Sequence, residues 1–94
     1  MQFEWNAKKD RQNQLKHRVS FETATLVFSD PHALSLMDRI EADEERWHTI
    51  GLAGGILLVL VAHTYRGSGG DERIRIFSAR KATPRERQLY EESL

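Results

Sequence analysis

The chain contains no cysteine, which removes disulfide staples and thiolate zinc sites together as ways of holding so small a protein. Its 94 residues allow one modest core, so a single domain over residues 1–94, stabilised by packing, is expected. Long apolar runs are missing too. The most apolar stretch, Ile50 to Ala62, is shorter than the roughly 20 residues of a membrane-crossing helix, and Gly54-Gly55 interrupts it. It reads as core, and no membrane association is expected. Met1 to Arg18 is mostly polar and carries five basic residues, unlike an export leader, so a cytoplasmic location is expected. The four histidines show no His-x-x-x-His pair, and Gly67-Ser68-Gly69-Gly70 lacks the Lys-Ser/Thr that follows in a phosphate loop. Neither a metal nor another cofactor is expected.

Net charge is zero, but the charges are segregated along the chain. Met1 to Arg18 carries a net +3, Val19 to Trp47 a net −5, and His48 to Leu94 a net +2. Within the last segment, Arg73 to Arg87 sets six cations against Glu86, a positive field suited to a phosphate polymer or an acidic partner. A solvated charged face is the plain alternative.

Gln2 to Trp5 alternates as a short edge strand would, and Asn6 caps a helix over Ala7 to His17 whose apolar residues are Ala7 and Leu15. Arg18 follows where glycine most easily closes a helix. Ser20 starts a second helix, with Phe21, Ala24 and Phe28 at helical spacing, and Asp30-Pro31 stops it. Strand patterns follow at Ala33 to Met37, Glu45 to Gly51, Ile56 to Tyr65 and Glu72 to Ala79, with an acidic loop expected over Asp38 to Glu44. Ile56 to Tyr65 suits a central strand covered on both faces. Thr83, Pro84 and Glu86 form the signature of a capped final helix. Helices segregated on one side of an antiparallel sheet give an α+β class.

Several blocks together resemble the BrnT toxin family: Phe3-Glu4-Trp5, Asn13 with Lys16-His17, Val19-Ser20-Phe21-Glu22, Glu45-Arg46 before Thr49-Ile50-Gly51, and Arg73-Ile74-Arg75-Ile76 running through Ser78-Ala79-Arg80-Lys81-Ala82-Thr83 to Arg85-Glu86-Arg87 and Tyr90-Glu91. Asn6-Ala7, Arg18 and Phe77 depart from the family's commoner residues. The resemblance implies a RelE-like fold and growth inhibition through RNA cleavage. It also implies neutralisation by a BrnA-like antitoxin with a DNA-binding region, through which alone operator DNA would be reached.

Metal-free RNA cleavage needs a group to take the 2′-hydroxyl proton, one to protonate the leaving 5′-oxygen, and cations over the phosphorane. Arg73, Arg75 and Arg80 are the expected phosphate clamp, although Arg80 has the opposite strand parity and joins the others only across a bulge or a turn. His17 is the first choice of proton carrier, with a helix-terminal structural histidine as the alternative. Glu45 serves as base or as orienter of an arginine. Lys16, Arg46, Lys81, Arg87 and Tyr90 are the expected RNA contacts. A non-catalytic module that grips protein or nucleic acid with the same arginines is the competing reading. Convergence of His17, Glu45 and the arginines on one phosphate would separate the two.

Overall fold

The computed structural model describes residues 1–94. Its elements run β1 (Gln2–Glu4), α1 (Ala7–His17), α2 (Phe21–Thr25), a 3-10 turn (Leu26–Ser29), β2 (Leu34–Glu41), β3 (Glu44–Ala53), β4 (Leu57–Arg66), β5 (Arg73–Lys81) and α3 (Pro84–Glu92). The five strands form one mixed sheet in the order β1-β5-β4-β3-β2, with β1 parallel to β5 and all other neighbours antiparallel.

β4 is the central strand because its alternate residues are apolar on both faces. Val59 and Val61 join Ile74, Ile76 and Ala79 of β5 in a core closed by Val19, Phe21, Ala24 and Val27. Gly51 lies under the 3-10 turn, where a β-carbon would come within 2.9 Å of Val27 Cγ1. Leu58 and Leu60 point the other way and meet Ile50 and Tyr90. Helices segregated to one side were expected; α3 instead covers the opposite face, since an apolar second face of β3 and β4 must also be shielded from water. Tyr90 is therefore a buried packing residue. Its hydroxyl donates to Asp30 Oδ2 at 2.6 Å, and the Asp30 carboxylate beside it pushes the phenol up to about 12. Burial pushes the Asp30 carboxyl up, but N–H donation from Leu52, the Tyr90 hydroxyl and His32 N–H outweigh it and hold it below its ordinary value.

The charged stretch expected to be a loop over Asp38 to Glu44 is a strand hairpin. Glu41 pairs with Glu44, and Ala42 and Asp43 turn the chain with φ of 51° and 63°, the left-handed pair of a type I′ turn. No glycine or asparagine marks that turn, and the charges suit an edge strand that should not pair with other chains.

α1 docks without an apolar stripe. Leu15 is 86% exposed, whereas Asn13 is buried and its amide donates to Ala79 O and Val19 O, both at 2.8 Å, while its Oδ1 accepts Ala79 N–H at 3.1 Å. β1 pairs with β5 over Arg73 to Arg75, so Asn13 satisfies the edge of β5 further along, where a strand neighbour would otherwise be needed. Asp10, one turn earlier on the same helix face, accepts the Phe21 N–H at 2.9 Å and so ties α1 to the start of α2. Asn6 caps α1 at Lys9 N–H, and Arg18 closes it at φ 60°.

Candidate active site

Helical spacing builds the site wall. Asp10, Asn13 and His17 recur at i, i+3 and i+7 and face the sheet; Lys9, Gln12 and Lys16 repeat that spacing one position earlier and rim it. Three clefts follow one another along this junction. Lys16, His17, Arg18, Arg80, Lys81 and Thr83 line the first, about 380 Å³. Lys16 and His17 continue into the second, about 270 Å³, with Lys9, Gln12, Asn13, Phe77 and Ser78. Phe77 and Ser78 in turn border the third, about 220 Å³, which reaches Asp38, Arg46 and His48.

β5 reaches these clefts through a bulge. Ala62 pairs with Ser78 and His63 with Ile76, so Phe77 is the extra residue, and the parity of everything beyond it is reversed. Arg73, Arg75, Ser78 and Arg80 consequently share one face, while Ile74, Ile76 and Ala79 share the core face. Phe77 is half-buried, with the Arg46 guanidinium carbon 3.8 Å from its ring centroid and Lys9 Nζ at 5.8 Å.

The three arginines of the expected clamp lie on one face, but they do not line one cleft. Arg73, Arg75 and Arg66 surround Glu4, at 3.5, 3.9 and 3.9 Å, and neither Arg73 nor Arg75 lines a cleft that His17 borders. Their partner is Glu4, which parallel pairing of β1 sets opposite Arg75. Arg80 does join His17. Its two terminal nitrogens meet both oxygens of Glu86 at 2.7 and 2.9 Å, and these bonds hold the Glu86 carboxyl down to about 2. Glu86 Oε1 also accepts Thr83 N–H at 2.9 Å, so the capping box of α3 orients the arginine of the cleft. Lys16, Arg18 and Lys81 line the same cleft and form no ion pair.

Other expected site residues are dispersed. Glu45 lies on the opposite face from Arg46, beside Trp47 and Tyr65, because neighbouring strand residues alternate. It lines neither of the clefts that His17 borders. Arg46 stands in the groove, stacked on Phe77 and 3.6 Å from Glu44. Arg87 is exposed on α3 and borders none of the three clefts. His48 Nε2 lies 3.6 Å from Asp38 Oδ2, placed there by a register shift in β2 between Met37 and Arg39. His63 is wholly buried, bonded through Nε2 to Thr49 Oγ1 at 2.7 Å, and burial pushes it down to about 4, so it is a neutral core residue.

Sequence reading missed Phe77, Gln12, Lys9 and Arg18 as cleft residues, and Glu4 as the partner of the arginines. Part of the signal was present. Ile76-Phe77 breaks the alternation of Arg73-Ile74-Arg75-Ile76, as a bulge must, and Lys9, Gln12 and Lys16 form a helical stripe.

A histidine thus sits among uncompensated cations along the edge of an α+β sheet, in a local positive field. A family model described as "Ribonuclease toxin, BrnT, of type II toxin-antitoxin system" matches residues 5–86, and the chain belongs to that family. The fold is similar to the 1.1 Å crystal structure of the Brucella abortus ribonuclease toxin BrnT, with TM-score 0.61 and 24% identity over 88% of this chain and 97% of that one. No curated protein matches the chain.

Proposed function

We propose that this toxin cleaves RNA without a metal ion, at the first cleft, with His17 as a proton carrier. The observation that carries the reading is the gathering of Lys16, His17, Arg18, Arg80 and Lys81 in one cleft whose acidic neighbour, Glu86, is occupied by Arg80. In the step, the ribose 2′-oxygen bonds to phosphorus, the P–O5′ bond breaks, and a 2′,3′-cyclic phosphate and a 5′-hydroxyl are left. One proton leaves the 2′-hydroxyl and one reaches the 5′-oxygen. His17 moves one of these, and the lysines and arginines carry the charge of the phosphorane. No three His, Cys, Asp or Glu side chains gather as a ligand set. Glu45, Arg73, Arg75, Arg87 and Tyr90 are not assigned to the step.

The remaining implications of the family resemblance belong to the same proposal: one RelE-like domain, cytoplasmic action that halts growth, and a BrnA-like antitoxin that brings the operator DNA contact. The purified chain is expected to cut RNA in excess EDTA and to leave cyclic-phosphate ends. Loss of cleavage in EDTA that a divalent ion restores would overturn metal independence.

A further inference from the structure

We infer that the second cleft is a nucleobase subsite, in which one unpaired base of the RNA stacks on the Phe77 ring and is read by the Gln12 side-chain amide. The inference rests on the ribonuclease reading of the neighbouring cleft and adds to it the part of the substrate that is recognised.

The bulge is the first observation. Phe77 is the extra residue in β5 and sets an aromatic ring in a cationic groove at the point where two clefts meet, while the parity change beyond it turns Ser78 and Arg80 to the face of Arg73 and Arg75. The ring is not consumed by the core: Phe77 is half-buried and belongs to neither core cluster. The stacked Arg46, 3.8 Å from the centroid, belongs to the third cleft, and Lys9, 5.8 Å away, to the second. On the Lys9 side the cleft measures about 270 Å³, room for a planar base.

The second observation is the geometry of the rim. Gln12 is exposed and lines that cleft, and its amide offers a donor and an acceptor, the pattern that reads a base edge. Lys16 and His17 line both this cleft and the cationic one. A base on Phe77 therefore sets its own ribose and phosphate beside His17 and next to Arg80 and Lys81. Stacking accepts any base, whereas the amide discriminates among them, so Phe77 supplies affinity and Gln12 preference.

The test uses the full chain with Phe77→Leu, Phe77→Trp and Gln12→Ala. Binding is read by fluorescence anisotropy on labelled 2′-O-methyl oligonucleotides of each base, which lack the attacking hydroxyl, and cleavage on DNA strands holding a single ribonucleotide. Phe77→Leu is expected to weaken oligonucleotide binding about tenfold, the scale of one base–aromatic stack, while inorganic pyrophosphate competes as well as it does in the parent. Phe77→Trp should keep the affinity. Gln12→Ala, on the open side of α1, should change the ranking of the four bases without weakening pyrophosphate binding. Unchanged affinity and ranking in both Phe77→Leu and Gln12→Ala overturn the subsite while leaving the ribonuclease reading intact. Phe77-dependent binding without cleavage by the parent supports the subsite and removes the ribonuclease reading. A parent that neither binds nor cuts removes both. If Phe77→Leu impairs binding of a co-expressed protein partner and not of RNA, the cleft is a protein contact and the inference is overturned.

Discussion

The two ends of β5 present the same kind of residue in opposite states. At its start, Arg73 and Arg75 are gathered with Arg66 around Glu4, and Arg66 and Arg73 have second partners in Glu44 and Asp71. At its end, Arg80 is held by Glu86, but Lys16, Arg18 and Lys81 around it have no carboxylate. The first region is a charge-balanced lattice that joins β1 to β5 and to β3; the second is a positive field with a histidine in it. Arginine content alone therefore does not locate a phosphate site. In the proposed reading what locates it is the surplus of cations over their partners, and that surplus lies where α1 meets the end of β5.

The sharpest way to break this comparison is His17→Ala. Cleavage is expected to fall by roughly 10²- to 10⁴-fold with binding of uncleavable RNA nearly kept, as loss of one acid–base group does. Normal turnover in a folded His17→Ala protein would remove the cleft from the mechanism.

The contrast extends to a histidine in the core. His63 is neutral when folded because burial lowers it from 6.5 to about 4, so below pH 6.5 the unfolded chain takes up a proton that the folded chain refuses. Its contribution to stability is thus complete above pH 6.5 and declines as pH falls towards 4, by about 3 kcal/mol over that interval. Urea denaturation across this range should show that decline in the parent and a flatter profile in His63→Gln. Parallel profiles would mean that His63 is not the acid-sensitive group.

A smaller effect sharpens the charge comparison directly. Lys81→Ala should weaken RNA binding several-fold and reduce the salt dependence of log K by about 0.7, the share of one phosphate contact on a single strand. Arg75→Ala, in the balanced lattice, should change cleavage by less than about threefold, as a partly exposed ion pair contributes little. Equal salt slopes for Lys81→Ala and the parent, or a large loss of cleavage with Arg75→Ala, would reverse the assignment of the two regions.

Local chemistry was legible where a few neighbouring residues suffice. Asn6 and Ser20 as caps, the Thr83-Pro84-Glu86 box, the left-handed Arg18 and the central place of β4 all appear where their side chains required. The hairpin through Ala42 and Asp43 was not legible, because Ala42, the first of its two left-handed residues, does not favour that conformation. Nor was the docking of α1, since a polar Asn13 bonded to a strand edge 66 residues away leaves no hydrophobic periodicity to detect.

Sequence by itself determined most of the element types, the hairpin through Ala42 and Asp43 excepted, the supply of cations in the last third of the chain, and the candidacy of His17, all of which depend on residue chemistry and short-range spacing. Tertiary structure decided which cations are free. The Phe77 bulge reversed strand parity to put Arg80 on the face of Arg73 and Arg75, parallel pairing brought Glu4 within ion-pair range of Arg73 and Arg75, and alternation put Glu45 on the far side of the sheet from them. The physical reason is range: backbone propensities and caps act over one helical turn, whereas charge compensation depends on which distant strand lies alongside.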